Sequence, residues 1–511
     1  MSKQLSYQLF DLIKSLNKAE KRSFKLYAKR NFSGKDLKYV QLFDIIDKMK
    51  TYHESSITKH FRSDKASLLS NIKANLHEQI LVSLKIINRK NPDIVAYELY
   101  SSAYALYRKG LYSQSLEVLL KAKTQANKIN DNIFLLKIVD FEKQIEGRHI
   151  TRKHRQRAKE LIEQSENIKT RIYADEQWSN LSLQLYDYYL KFGHIKNERQ
   201  LIKVDEYFSD AISKIQYENI SFNGKIHKYK CFVWYKYITQ DFVSCYNYSL
   251  KWINEFDKND LNKIINPELY MRGLHNSLSS LFYCDDKVRF RSILQKLEGF
   301  VENNKQKFSL NAKVLAFIYI ETAKINLHFL EGTYSVGVKN IDTFEDKLSI
   351  FSAYIDKYRI MVFEYKNACL YFGAGNYRKS VFLLNRVINN SDKALKEDIQ
   401  SFARILNIIA HYELGNDEHL SYQIKNTYRF LLKIKDLDGV QKLVLKTIKQ
   451  NAYTDRKNLT QAFIKFRKDY LQLMSDKYEW RSTLYLDILS WLDSKIENRT
   501  IEQIIWERKN S

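Results

Sequence analysis

The stretch Ala368-x-x-Tyr371-x-x-x-Gly375-Asn376-Tyr377-x-x-Ser380-Val381-x-x-Leu384-x-x-Val387 decides how this chain is read, because it spells two helices and the turn between them. Apolar residues three and four apart put one stripe on each helix, and Gly375 supplies the backbone angle that a tight helix-to-helix turn demands. Tyr377 wedges beneath the turn, and a small residue at Ser380 lets the second helix approach the first. The same spacing occurs at Ala103-x-x-Leu106-x-x-x-Gly110-Leu111-Tyr112-x-x-Ser115-Leu116-x-x-Leu119-x-x-Ala122. Weaker echoes are Glu331-Gly332-Thr333-Tyr334, Leu414-Gly415-Asn416 and Gln240-Asp241-Phe242.

Inter-helix turns are expected near Gly110, Gly147, Gly193, Gln240, Asp285, Gly332, Gly375 and Gly415, 37 to 47 residues apart. A near-constant period with two helices per unit marks a helical repeat array, in which each hairpin covers its neighbour's apolar face. The turn residues Gly110 with Tyr112, Gly332 with Tyr334, Gly375 with Tyr377, and Gly415 resemble those of the tetratricopeptide repeat. That resemblance covers roughly residues 92 to 434 and implies an all-α, right-handed superhelical array of antiparallel helix hairpins (an α-solenoid). It also implies a concave surface that holds an extended peptide or a partner helix. Several features depart from the family pattern: its early Trp, its Leu-Gly and its closing Pro are missing, and Ser115 and Ser380 replace the small Ala. The period is also longer than the family's, which is about 34 residues.

Composition agrees with helices. Among 511 residues, 13 Gly and 2 Pro leave too little turn chemistry for a strand-rich fold, and 44% apolar with 14% aromatic residues exclude a disordered chain. Both prolines sit at helix starts, in Asn91-Pro92-Asp93 and Asn266-Pro267-Glu268, each with an Asn as N-cap candidate. Phe222, Ile226, Tyr229, Val233 and Tyr237 form one helical stripe, and Leu68, Ile72, Leu76, Ile80 and Leu84 another. The first 90 residues form a basic helical domain, with helices expected at about 3–16, 18–31 (capped by Asn17), 37–52, 55–61 and 65–88. Hairpin repeats are expected over 91–434 and capping helices over 435–511.

The formal charge is +25, and residues 1–91 alone hold 19 Lys and Arg against 8 Asp and Glu. Such an excess suits an anionic partner, although richness in Lys, Asn, Ile and Tyr also fits AT-rich codon usage. Cys231, Cys245, Cys284 and Cys369 are far apart and read as small apolar groups in a reducing compartment. The longest clean apolar run, 314–320, is far short of the ~20 residues of a bilayer span, and residues 1–22 show no signal-peptide core. A cytoplasmic, soluble protein is expected.

No catalytic motif is present, and neither a cofactor nor a metal is expected. Gly373-Ala374-Gly375 follows a helix rather than a strand, so it reads as a repeat turn and not a phosphate loop. His149 and His154 lack the other ligands of a metal shell. The sharpest local feature is a run of cations, Arg148, Arg152, Lys153, Arg155, Arg157 and Lys159, without an intervening acid. As a helix face it could grip phosphates or an acidic peptide, or be a solvated face neutralised by Glu160, Glu163 and Glu166. Tyr186, Tyr188 and Tyr189, with Trp234, Tyr235 and Tyr237, read as interhelix packing rather than base-stacking platforms. A helix-turn-helix reading of the amino-terminal helices would turn Lys59, Arg62, Lys65 and Lys73 toward DNA.

The expectation from sequence is therefore a non-enzymatic interaction scaffold with a protein or peptide partner. The alternative is a nucleic-acid-associated regulator using the basic amino-terminal helices or the 148–159 stripe.

Overall fold

The computed structural model describes residues 2–31, 37–61, 66–148, 156–215, 220–390, 397–434, 437, 439–451, 456–475 and 487–510. Every regular element among them is helical, the one short exception to α geometry being a 3-10 turn at Ser352–Tyr354. None of these helices is long and apolar enough to cross a membrane. The chain divides into two compact units, Met1–Lys169 and Thr170–Ser511.

In the first unit, α1 (Ser2–Ser15), α2 (Lys18–Asn31), α3 (Leu37–Lys48), α4 (Glu54–His60) and α5 (Ala66–Ile87) close on a core that includes Leu9, Phe24, Phe43, Ile72, Leu76 and Ile80. Of the expected α5 stripe, Ile72, Leu76 and Ile80 are buried and Leu84 is half-buried, while the Leu68 side chain lies outside the described residues. Asn17 caps α2 as anticipated: its side chain accepts from the Ala19 and Glu20 amides, and Glu20 reaches back to the Asn17 amide, completing a capping box. Then follow α6 (Pro92–Arg108), α7 (Tyr112–Lys128), α8 (Asn132–Arg148) and α9 (Arg157–Phe192), within which the division between the units falls.

The second unit continues with α10 (Glu198–Ser213), α11 (Phe222–Ile238), α12 (Phe242–Asp257), α13 (Asp260–Ile265), α14 (Pro267–Tyr283), α15 (Lys287–Asn304) and α16 (Leu310–Glu331). Next come α17 (Tyr334–Lys339), α18 (Ile341–Phe351), α19 (Lys357–Gly373), α20 (Tyr377–Ile388), α21 (Glu397–Glu413) and α22 (Asp417–Lys433). The last four are α23 (Gly439–Asn451), α24 (Arg456–Leu473), α25 (Ile488–Glu497) and α26 (Ile501–Asn510). Consecutive helices pack as neighbouring pairs, α11 with α12, α14 with α15, α19 with α20 and α21 with α22. First helices of successive pairs also touch, α14 with α16, α16 with α19, and α19 with α21. That arrangement is compatible with a helical repeat, and one continuous core runs from Ile226 to Ile505.

Pro92 and Pro267 stand in the first turns of α6 and α14, but Asn91 and Asn266 make no side-chain cap bond. The proline ring leaves one fewer amide for a cap to satisfy, so position alone carries the signal.

Seven of the eight expected turns hold a left-handed residue: Gly110, Gly193, Gly332, Gly375 and Gly415, and also Gln240 and Asp285. Gly147 instead lies in the last turn of α8. Six of the seven share one bond, from the amide just after the left-handed residue to the carbonyl five positions earlier: Leu111 to Leu106, Asp241 to Lys236, Asp286 to Leu281, Thr333 to His328, Asn376 to Tyr371 and Asn416 to His411. This is the Schellman closure, which satisfies otherwise orphaned carbonyls and turns the chain sharply. Aromatic rings five apart brace four of these turns, Tyr107 on Tyr112, Tyr237 on Phe242, Phe329 on Tyr334 and Phe372 on Tyr377.

The serines that depart from the repeat pattern have a structural task. Ser115 and Ser380 are fully buried, and each hydroxyl donates across the hairpin to a carbonyl twelve residues earlier, Ala103 at 2.7 Å and Ala368 at 2.9 Å. Cys245 occupies the same position in its hairpin, with its thiol 3.6 Å from the Val233 carbonyl. A small donor therefore suits this site as well as Ala, because it adds an interhelical bond without adding bulk.

The carboxy-terminal helices do not simply extend the row. α26 returns to α16 and α17, where the Ser335 amide donates to Glu502 at 3.1 Å. At Gly332 (φ +68°) a Cβ would lie 2.7 Å from Ile505 Cγ2, whereas at Gly110 (φ +76°) it would meet open space. Gly110→Ala should cost about 1 kcal/mol, the left-handed strain alone, and Gly332→Ala roughly twice that because α26 must also move. Hydrogen exchange across 501–510 checks this: protection should fall in Gly332→Ala and be unchanged in Gly110→Ala.

Candidate functional site

The basic stripe is divided between roles. Arg152, Lys153 and Arg155, with His149 and His154, lie outside the described residues. Arg157 donates to Glu142 at 2.9 Å, and Glu142 is almost wholly buried on α8, where Lys123 also reaches it. Lys159 is exposed and 3.9 Å from Glu163, and Arg148 donates to the Tyr107 hydroxyl at 3.4 Å. On the amino-terminal helices, Arg62 and Lys65 lie outside the described residues, and Lys59 is exposed. Lys73 points inward: its ammonium donates to Glu54 at 2.6 Å, Ser6 at 3.0 Å and the Tyr52 hydroxyl at 3.1 Å. The aromatic groups pack on one another, Trp234 against Tyr186 and Tyr189, and Tyr235 stacked on Phe208 with its hydroxyl on Asp205.

A different set of cations gathers in the second unit, on first helices of successive pairs. His275 of α14 stacks on Tyr319 of α16 with ring centres 4.2 Å apart. Burial lowers its proton affinity, and Arg359, Arg272 and Lys366 lower it further, so the imidazole is neutral at physiological pH. On α11, Lys230 is pulled below its ordinary value by burial and then by Arg272. One turn earlier His227 is lowered by burial and by Lys230, with the nearby Asp175 carboxylate acting the other way, and its Nδ1 is buried without a hydrogen-bond partner. Arg359 pairs with Asp356 at 3.1 Å. Among the described residues, neither Lys230 nor Arg272 meets a carboxylate. Against the carboxylates of Asp175 and Asp356, the cations Lys230, Arg272, Arg359 and Lys366 leave the cluster in positive excess, a condition that suits an anion.

Beyond this cluster, toward the carboxy-terminal ends of α14, α16 and α19, lies a cavity of about 460 Å³. Phe282, Phe329, Tyr334 and Lys366 form part of its wall, and Tyr470, Asp487 and Arg508 come from the last three helices and their approach. The Lys366 ammonium donates to Asn326 Oδ1 at 2.6 Å and sits over the Phe282 and Phe329 rings, 5.7 and 5.6 Å from their centres. Burial holds its pKa down at about 8, so it is still mostly charged at neutral pH. No carboxylate among the described residues pairs with it. Arg508, by contrast, donates to Asp493 at 2.8 Å and to Ser490 at 3.1 Å. The Cys369 thiol, one turn past Lys366, is pushed up to about 12 by burial and stays protonated.

Sequence reading missed both features, yet one signal was available. Phe363, Lys366 and Leu370 fall three and four apart, so a lysine interrupts the apolar stripe of α19. The turn residues Gly110, Tyr112, Gly332, Tyr334, Gly375, Tyr377 and Gly415 shape the hairpins; of these only Tyr334 borders the cavity. Among the described residues no three His, Cys, Asp or Glu side chains converge as a metal ion would need. No family model matches the chain, and comparison with curated proteins and with solved structures likewise returns no match.

Proposed function

We propose that the paired helices between residues 91 and 434 are those of a tetratricopeptide-like α-solenoid, a right-handed superhelix serving as a non-enzymatic interaction scaffold. Its partner is an acidic peptide segment or the acidic face of a partner helix, received on the first helices of successive hairpins. The observation that carries this reading is the cation cluster around His275, where Lys230 and Arg272 have no carboxylate of their own among the described residues. Buried or half-buried cations without partners are unfavourable in the free protein, and an acidic partner relieves that cost on binding. The neutral His275 stacked on Tyr319 would add a flat floor for the partner's backbone.

The test is the anisotropy of a fluorescein-labelled, Glu-rich peptide titrated with the full chain. Lys230→Glu combined with Arg272→Glu should weaken binding at least tenfold, about 1.4 kcal/mol, and binding to the unaltered protein should weaken with added salt. Unchanged affinity in the double variant would overturn the reading. A labelled oligonucleotide bound more tightly than the peptide, with a steep salt dependence, would replace it by the nucleic-acid regulator.

A further inference from the structure

The cavity at Lys366 is built differently from the cluster around His275. Its cation is nine-tenths buried, held by a side-chain amide and two ring faces, and enclosed by helices far apart in sequence. An ammonium has three donors, and Asn326 takes one. A buried ammonium without a counter-charge is costly, so its retention in a wall of Phe282, Phe329, Met474 and Leu489 calls for a function.

We infer that this cavity is a binding site for a small organic carboxylate with an aromatic or branched aliphatic body. The carboxylate would take the remaining Lys366 donors, and the body would lie among the apolar and aromatic rings. Two observations narrow the class. Arg508 is already engaged by Asp493, so Lys366 is the cation left to be neutralised. Asp285 and Asp487 also border the cavity and repel any anion, a dianionic phosphate about twice as strongly as a monoanion, which leaves the monoanion as the less penalised class. At about 460 Å³ the space lies in the range of small-molecule pockets, which run from roughly 300 to 1,000 Å³. Neither Lys230 nor Arg272 lines it, so this site goes beyond the peptide surface proposed above, although Lys366 lies within electrostatic reach of His275.

The experiment is calorimetric titration of the full chain, near neutral pH, with 3-phenylpropionate and with its uncharged analogue 3-phenylpropionamide. The acid should bind saturably and at least tenfold more tightly than the amide. Lys366→Met, whose folding is confirmed by circular dichroism, should lose that preference. The Lys230→Glu, Arg272→Glu variant should keep it, which separates this site from the peptide surface. Equal affinity for acid and amide, a preference that survives in Lys366→Met or disappears in the double variant, or no saturable binding by the unaltered protein up to about 10 mM, a limit near the weakest affinities of specific ligands, would each overturn the inference.

Discussion

Lys366→Met should make the protein more stable at neutral pH, and the gain should reverse sign at high pH. In the unfolded chain the amine titrates near 10.5, and in the folded protein burial brings this to about 8. Below pH 8 both states are protonated, and the native state carries the full cost of a charged amine in an apolar wall. Between about 8 and 10.5 the unfolded state binds more protons than the native one, so stability rises with pH. Above that window both amines are neutral and the cost is gone. The shift corresponds to about 3 kcal/mol at neutral pH, from which about 1 kcal/mol is lost because Met leaves the buried Asn326 carbonyl without its donor. The net expectation is a Met variant about 2 kcal/mol more stable near pH 7 and about 1 kcal/mol less stable above pH 10.5. The buried tyrosines whose pKa values are raised, Tyr334 and Tyr470 among them, titrate alike in both proteins and cancel in the difference. Paired thermal melts from pH 6 to 11 measure it; a difference independent of pH would show that Lys366 is not the titrating group.

The second large effect concerns Arg157, the member of the basic stripe that the fold has taken for itself. Arg157→Glu, a natural choice for testing anion binding by the stripe, should destabilise the first unit on the order of 3 kcal/mol, because it sets a carboxylate against the buried Glu142. Lys123 keeps its own hold on Glu142 and limits the damage but cannot serve two acids. Lys159→Glu, at an exposed site, should change stability by less than about 0.5 kcal/mol. Hydrogen exchange in α8 and α9 separates the two: protection around Glu142 should collapse in the first variant and persist in the second. If Arg157→Glu melts like the unaltered protein, the Glu142 pair contributes nothing to the fold.

The helical architecture was legible because its signals are local. A left-handed residue at Gly375 or Gly110, an aromatic two positions later and a small residue three beyond that are all set within one turn and the helices it joins. Even Gln240 and Asp285, which lack the glycine advantage, were found, Asp285 from the period alone. Cap chemistry was partly legible: Asn17 forms its capping box, while Asn91 and Asn266 stand at the right place without the bond. Charge was the least legible property. Lys73, which a helix-turn-helix reading turns toward DNA, donates to Ser6, Tyr52 and Glu54, and Arg157, which the sequence leaves as part of either an anion-binding or a solvated face, neutralises a core carboxylate.

The sequence thus shows a chain built of helices, seven of the eight turns it led one to expect, and the apolar stripes that carry Ile72, Leu76 and Ile80 on α5 and Ile226 and Val233 on α11. Those properties depend on backbone angles and on neighbours three or four residues away. Which of the described cations lack a counter-charge, the return of α26 to Gly332 and the place of Lys366 at a cavity wall emerge only from the three-dimensional fold. Each of these depends on distances between residues tens to hundreds of positions apart, Asn326 with Lys366 or Ser335 with Glu502. Electrostatic energy and burial follow distance in space, and spacing along a chain does not encode that distance.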